Sequence, residues 1–502
     1  MTLQAELADE AATQRFGAVL AAALVPGDLV TLVGEVGAGK STLARAVIRA
    51  VAADPGLDVP SPTFTLVQGY ENGRLPLLHC DLYRLADPGE VDELGIIDAL
   101  EDGAVLVEWP DRGDLPPATL GITLAETRGG HSRTVALDGS DEALARVRRS
   151  MQIASFLAAN DLATTERRPF AADASVRRYE SVQSKDGPLI LMDAPRLADG
   201  PSLPDGRSYN VVARRAETVA PFIAIGEMLR TKGFAAPAII ASDIDRGLVL
   251  LEDLGRASIV DGDGRPDPGR YSSTVRVLAA IHDTDWPDAF AVPGREPHVV
   301  PPFDRDLAML EVSQTPAWAF TRFVGRPASE DERLEFEAGW HEALDAIADA
   351  ERSLVLRDVQ STNVIWRDHH RGVARVGLID YQDALVGPAA YDVASLAQDA
   401  RVMIPQEMGA ELLEAYRSAR TAPPDPLFDT AYAVMAAQRA TKLLGLWVRL
   451  DERDGKPEYL RHMPRTIDYL SRNLAHPALA RVRRWFEAHE LLSRAILRKE
   501  AA

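Results

Sequence analysis

Two groups of residues in this 502-residue chain have the types and spacing to handle phosphate. The first is Gly34-Glu35-Val36-Gly37-Ala38-Gly39-Lys40-Ser41, continuing into Thr42. Glycines at these steps let backbone N–H groups close around phosphate oxygens, and the lysine neutralises the β- and γ-phosphates. Ser41 offers a hydroxyl where Mg2+ takes an oxygen ligand. The second group is Asp358, Asn363 and Asp380. An aspartate, an asparagine five residues on and an aspartate at a strand end match the base and metal ligands of kinase-type phosphotransfer. In that pattern Asp358 accepts the proton of the attacking hydroxyl, and Asn363 and Asp380 hold Mg2+ across the phosphates. Asp-x4-Asn alone also arises by chance among surface residues. The apolar run before Asp380 and the later Asp383 narrow that reading.

These residues need elements to hold them. Leu29-Val30-Thr31-Leu32-Val33 predicts a strand entering the glycine loop, and residues 41–53 a helix ended by Asp54-Pro55-Gly56. Leu77-Leu78-His79-Cys80 predicts a strand ending in Asp81, and Val105-Leu106-Val107 one ending in Glu108-Trp109. In a parallel sheet the strand C-termini sit beside the loop. Asp81 is then placed for the metal shell and Glu108 to orient or deprotonate a water. On spacing alone each acid fits a helix cap or a surface charge equally well, and Trp109 fits a core. Further on, Arg177-Arg178-Tyr179 and Leu189 to Pro195 predict strands of a small sheet. Leu248-Val249-Leu250-Leu251 runs through Glu252 and Asp253 into a hinge where backbone groups would meet adenine. From Tyr271 the pattern is mostly helical.

The chain is too long for one ordinary core. Its formal charge is −20, of which residues 1–150 carry −11 and the remainder −9. So acidic a chain excludes a broad basic face for nucleic acid and leaves any RNA role to partners or a local patch. One cysteine, Cys80, excludes a disulfide framework and reads as core filler. Met1 to Glu10 is acidic and unlike a signal peptide, and no apolar run reaches the length of a membrane span, so the expected compartment is the cytoplasm. Asp141 to Arg149 is charged and helix-compatible, Met151 opens a new amphipathic segment, and no Gly/Ser or Pro-rich tether separates the halves. A short, stiff connection is expected.

Four ordered segments carry a resemblance: the glycine loop, Ser61-Pro62-Thr63-Phe64-Thr65-Leu66-Val67, His79-Cys80-Asp81-Leu82-Tyr83-Arg84-Leu85, and Leu106-Val107-Glu108-Trp109-Pro110. Over roughly residues 10 to 140 the chain resembles the TsaE family, the ATPase subunit of the bacterial machinery making threonylcarbamoyladenosine at tRNA position 37. The resemblance implies that Thr63 lies in a switch-like segment near the γ-phosphate and that Trp109 borders the nucleotide. It implies that Asp81 and Glu108 serve the metal and hydrolysis. It also implies a TsaB–TsaD heterodimer as partner, with tRNA met only indirectly.

The second half is similar to the aminoglycoside phosphotransferase-like superfamily, and within it to the AmgK family of anomeric kinases of N-acetylmuramate and N-acetylglucosamine. Met192-Asp193-Ala194-Pro195, Leu251-Glu252-Asp253-Leu254-Gly255, Leu356-Arg357-Asp358, Ile379-Asp380-Tyr381-Gln382-Asp383-Ala384 and Gly387-Pro388-Ala389-Ala390-Tyr391-Asp392 carry it, over nearly all of 151 to 490. It implies transfer of the ATP γ-phosphate to the C1 hydroxyl of an amino sugar, with Asp358 as base. Three departures stand out. Leu356 and Gln360 occupy positions where relatives carry histidine, and Met192 stands where the strand lysine is expected. Lys185 reads as a solvated loop residue, which leaves Arg177 or Arg178 as candidates for a phosphate contact. Residues 196–211 are a Pro/Gly/Asp-rich insertion, and Asp392 fits either a helix cap or a brace of the catalytic loop.

The expected fold is α/β. A P-loop NTPase sheet domain at 1–148 joins a protein-kinase-like, aminoglycoside phosphotransferase two-lobe domain at 151–502, with lobes near 151–256 and 257–502. ATP and Mg2+ are the expected cofactors, and no membrane is involved. Besides a bifunctional enzyme, two alternatives stay open: a pseudokinase scaffold in the second half, or a kinase of another small-molecule hydroxyl.

Overall fold

The computed structural model describes residues 3–127, 132–170, 177–421 and 425–497. Its contacts divide the chain into two compact units, Met1–Pro169 with Glu180–Gly187, and Phe170–Tyr179 with Pro188–Ala502.

In the first unit, short runs of β-branched and leucine residues become a seven-stranded sheet. Its strands are β1 (Leu3–Leu7), β2 (Leu29–Val33), β3 (Val67–Tyr70), β4 (Leu77–Asp81), β5 (Ala104–Glu108), β6 (Leu120–Glu126) and β7 (Arg133–Gly139), in the order β1-β7-β6-β2-β5-β4-β3. β2 runs parallel to β5 and β6, and β4 parallel to β5; the outer pairings are antiparallel. Alternation then splits the side chains into two layers. Leu32, Leu77 and Leu106 face a core with Phe16 and Leu20 of α1 (Glu10–Ala23), Leu43 and Ile48 of α2 (Lys40–Ala52) and Leu144 of α4 (Asp141–Ala158). Leu29, Cys80, Val105 and Val107 face the other side with Ile96 of α3 (Ile96–Asp102). Each fully buried Leu or Ile side chain of α2 contributes about 1.5–3 kcal/mol. Cys80 is core filler as expected; burial pushes its thiol up to about 12.

The register decides the chemistry. Asp81 pairs with Glu108, and Glu108 with Leu32, so the C-terminal ends of β4, β5 and β2 lie side by side where the glycine loop begins. α2 starts at Lys40, one residue earlier than the sequence suggests, because Gly39 takes the left-handed conformation (φ +103°) at its N-cap. A side chain at Gly39 would also meet Arg133, whose Nε would lie 2.9 Å from the added carbon.

The charged stretch 141–149 and the segment opening at Met151 form a single helix, α4, capped by Ser140, whose hydroxyl accepts from Ala143 N at 3.1 Å. The position read as a junction between two segments therefore lies within continuous helix, which accounts for the absence of a tether.

In the second unit, β10 (Gly187–Asp193) pairs antiparallel with β12 (Leu248–Glu252), and β12 with β11 (Ile239–Asp243). β8 (Arg167–Pro169) pairs antiparallel with β9 (Arg178–Ser184), and β8 and the residues of β9 from Glu180 onward belong to the first unit. After β12 the chain is mostly helical, from Pro268–His282 to Leu491–Leu497, interrupted by three two-stranded ladders, one joining Ala289–Phe290 to His298–Val299 and two others nearer the predicted site. Of these two, one pairs Arg352–Val355 with Leu385–Pro388, the other Val364–Trp366 with Val376–Leu378. Between them they frame the segments holding Asp358, Asn363 and Asp380. No described helix is long and apolar enough to cross a membrane.

Candidate active sites

The loop after β2 closes on its own lysine. Lys40 is buried, and its Nζ donates to Gly34 O at 2.7 Å and Glu35 O at 3.0 Å while lying 3.7 Å over the Trp109 ring. Burial lowers its pKa, opposed by Glu108, Asp81 and Glu35. Trp109 reaches this position through left-handed backbone, φ +59°. A cleft of about 570 Å³ opens beside the loop, lined by Gly34, Glu35, Val36, Ala38, Trp109, Pro110 and Asp111 with the end of β6.

The predicted acids converge here. Ser41 Oγ donates to Glu108 Oε2 at 2.8 Å. Asp81 Oδ2 accepts from Thr63 Oγ at 2.6 Å and Ser61 Oγ at 3.1 Å, and its Oδ1 accepts from Tyr83 N at 3.1 Å. Thr63 is thus tied to Asp81, whereas the neighbouring Phe64 is exposed and stacks under Arg84. Thr42 lies half-buried in the first turn of α2.

Sequence reasoning missed His79. It shares a sheet face with Asp81, is fully buried, and brings Nε2 to 3.0 Å from Glu108 Oε1. With the carboxylate as acceptor, the ring proton sits on Nε2, leaving Nδ1 buried with no hydrogen-bond partner among the described residues. The available signal was a polar, titratable residue in the middle of an apolar strand, two before an acid.

In the second unit, Asn363 is the link. Its Nδ2 donates to Asp358 O at 2.9 Å and to Asp380 Oδ2 at 3.2 Å, while Ile379 N donates to Asn363 O at 3.1 Å. Asp380 sits at φ +61° and accepts from Gln382 Nε2 at 2.8 Å and Arg177 Nη1 at 3.4 Å. Burial and the Asp358 charge raise the Asp380 carboxyl to about 6, against the pull of Arg177 and Gln382. For Asp358 burial pushes upward, but Arg439, Lys442 and Arg357 outweigh it and hold the carboxyl below its ordinary range.

Asp392 is fully buried and braces the loop, accepting from Leu356 N at 2.6 Å and Arg357 N at 2.9 Å. It is not the helix cap, since Ala389 occupies that position for the helix Ala390–Ala397. The two bonds fix Arg357 in left-handed backbone at φ +74°, a conformation costing about 1–3 kcal/mol outside glycine.

Met192 is buried in the core, so no ammonium enters from that strand position, and Lys185 is exposed in the turn after β9. Of the two arginine candidates, Arg177 is the one beside Asp380; Arg178 is exposed. The Glu252 and Asp253 side chains are engaged locally: Glu252 Oε2 accepts from Ala238 N at 3.1 Å, and Asp253 Oδ1 from Gly255 N at 2.9 Å. The segment 196–211 folds on itself, with Asn210 Nδ2 donating to Ala198 O at 2.8 Å. Sequence reasoning also missed Glu311, Arg439 and Lys442, which surround Arg357 and Asp358 from two distant helices.

The fold and site define the class first: a P-loop nucleotide-binding unit, and a kinase-like phosphotransferase unit. Residues 7–135 match the model of the threonylcarbamoyl adenosine biosynthesis protein TsaE, and residues 166–437 that of the phosphotransferase enzyme family. A TsaE of Rickettsia bellii is 38% identical over 108 residues, spanning 22% of this chain and 74% of its own. An N-acetylmuramate/N-acetylglucosamine kinase of Caulobacter vibrioides is 32% identical over 349 residues, spanning 67% of this chain and 95% of its own. A protein of the same description from Pseudomonas aeruginosa is 32% identical over 325 residues, spanning 62% and 85%. The chain belongs to the TsaE family through its first part and to the phosphotransferase enzyme family through its second.

Proposed function

We propose that the chain is bifunctional: an ATPase serving threonylcarbamoyladenosine formation on tRNA, and an ATP-dependent kinase of the anomeric hydroxyl of N-acetylmuramate or N-acetylglucosamine. The observation that carries the reading is that the predicted residues lie together within each unit, Lys40, Ser41, Asp81 and Glu108 in one and Asp358, Asn363 and Asp380 in the other.

In the first site the residues of 34–42 cradle the phosphates of ATP, with Lys40 released from the loop carbonyls to meet the β- and γ-oxygens. Trp109 borders the nucleotide, Thr63 faces its γ-phosphate, and Glu108 orients the attacking water. The donor sets are hard oxygens, a hydroxyl and two carboxylates at Ser41, Asp81 and Glu108, and an amide oxygen and a carboxylate at Asn363 and Asp380, which suits Mg2+. When bound, Mg2+ supplies positive charge across the phosphates. The partner is the TsaB–TsaD heterodimer, and the acidic charge of this chain is consistent with tRNA being gripped by that partner.

In the second site the Glu252–Asp253 hinge meets adenine. The acceptor hydroxyl attacks the γ-phosphorus, its proton passes to Asp358, and the bond to the β,γ-bridging oxygen breaks to release ADP. Arg177, beside Asp380, supplies a cation that the core position of Met192 does not. Incubation with ATP and each amino sugar, followed by phosphorus NMR, tests the acceptor. The reading predicts an acid-labile sugar 1-phosphate; an acid-stable phosphomonoester instead would sink the anomeric assignment.

A further inference from the structure

The helix Phe428–Glu452 buries polar groups that an apolar helix face would exclude. Gln438 and Arg439 are buried, and Lys442 is largely so. All three lie beyond residue 437, where the match to the phosphotransferase family ends. Buried charges persist only when paired, so each must answer to a partner.

Two of them end on one carboxylate. Gln438 Nε2 donates to Glu311 Oε2 at 2.9 Å and Lys442 Nζ to Glu311 Oε1 at 2.6 Å. Glu311, from the helix Arg305–Val312, also takes Arg357 Nη2 at 2.6 Å. This four-residue cluster accounts for Glu311 and Lys442 and fastens the long helix to the residue next to Asp358. Arg439 stands outside it. Its Nη1 reaches Asp358 Oδ1 at 3.3 Å and its Nη2 reaches Gln360 Oε1 at 3.5 Å, while Nε is buried with no hydrogen-bond partner among the described residues. Asp358 Oδ2 accepts no hydrogen bond among the described residues and sits on a side chain that is 36% exposed. One carboxylate oxygen is therefore held from behind and the other faces outward.

We propose that Arg439 is a positioning residue of the phosphotransfer reaction: its guanidinium holds Asp358 Oδ1 and the Gln360 amide together, so that Oδ2 is presented to the acceptor hydroxyl. The inference rests on the kinase reading. It gives a role to Gln360: its carbonyl oxygen receives the second arm of a two-armed guanidinium, a task a single-point ammonium performs poorly.

The full chain, assayed with ATP and N-acetylmuramate or N-acetylglucosamine, tests it. Arg439→Met should lower kcat about 100-fold, the loss expected for a base misplaced by roughly an ångström. The KM for ATP and the unfolding midpoint should stay near wild type. Arg439→Lys should recover part of kcat, because it restores one contact and not both. Methylguanidinium added to Arg439→Ala should raise kcat in proportion to its concentration. An unchanged kcat in Arg439→Met overturns the proposal, as does a fall in kcat that merely tracks the folded fraction. If Arg439→Met does not fold, Arg439→Lys decides: kcat lowered at unchanged ATP KM supports the role, and wild-type kcat overturns it. A wild-type chain that phosphorylates neither sugar overturns the kinase reading itself, which separates the two failures.

Discussion

Glu108 illustrates how one residue's chemistry depends on neighbours that spacing does not reveal. Its two oxygens are committed to different partners, Oε2 to Ser41 and Oε1 to His79. In the proposed ATPase Ser41 is to serve the nucleotide, which would leave His79 as the anchor of a buried carboxylate. A hydrogen bond to such a group contributes about 1.5–3 kcal/mol, worth about tenfold or more in rate if lost where the carboxylate must be aimed. His79→Leu is therefore expected to cut ATP turnover by about tenfold or more with ATP affinity retained. His79→Gln, whose amide nitrogen reaches the same place, should keep most of the turnover. Equal turnover in wild type and His79→Leu would remove His79 from the site. The glycine loop, Asp81 and Glu108 were legible because they lie on contiguous motifs and at strand ends. His79 was not, because a histidine inside an apolar strand has the same local pattern as core filler.

At the scale of elements, the second site is assembled by helices far apart in sequence. Asp392 fixes the backbone of Leu356 and Arg357, and Glu311 and Arg439 close in from two further helices. The Asp358–Asn363–Asp380 spacing could be read directly; its supports could not, because a buried ion pair leaves no periodic signal in either partner helix. The absent strand lysine could likewise be read at Met192, whereas only the fold brings Arg177 beside Asp380. Helix packing also sets a pH limit. His282, at the end of the helix Pro268–His282, is buried with Nδ1 2.8 Å from the Tyr416 hydroxyl. Burial and Arg420 lower its pKa to about 3 from an ordinary 6.5. Because the folded value is depressed, the stabilisation is complete above pH 6.5 and is lost as pH falls from there toward 3. The unfolding free energy from urea titrations should drop with acidification over that window, by about 1.4 kcal/mol per pH unit for this group. His282→Phe should flatten the slope; an unaltered slope would assign the acid sensitivity elsewhere.

For the whole molecule, two families in one chain were legible from motif order, because each half carries its own ordered series of motifs. The connection was less so. Asp141 to Arg149 and the segment from Met151 read as separate pieces, yet they share the turns of one helix, since nothing between them breaks i to i+4 bonding. A chain of net charge −20 also fits a division of labour in which catalysis is local and RNA is held by a partner. The central claim is that two phosphate sites work independently on different substrates. The most direct test is a crossover in the full chain, measuring TsaB–TsaD-stimulated ATP hydrolysis and amino-sugar phosphorylation in parallel. Lys40→Ala should abolish the first and spare the second, and Asp358→Ala should do the reverse. A folded variant of either kind that loses both activities would contradict the two-site account.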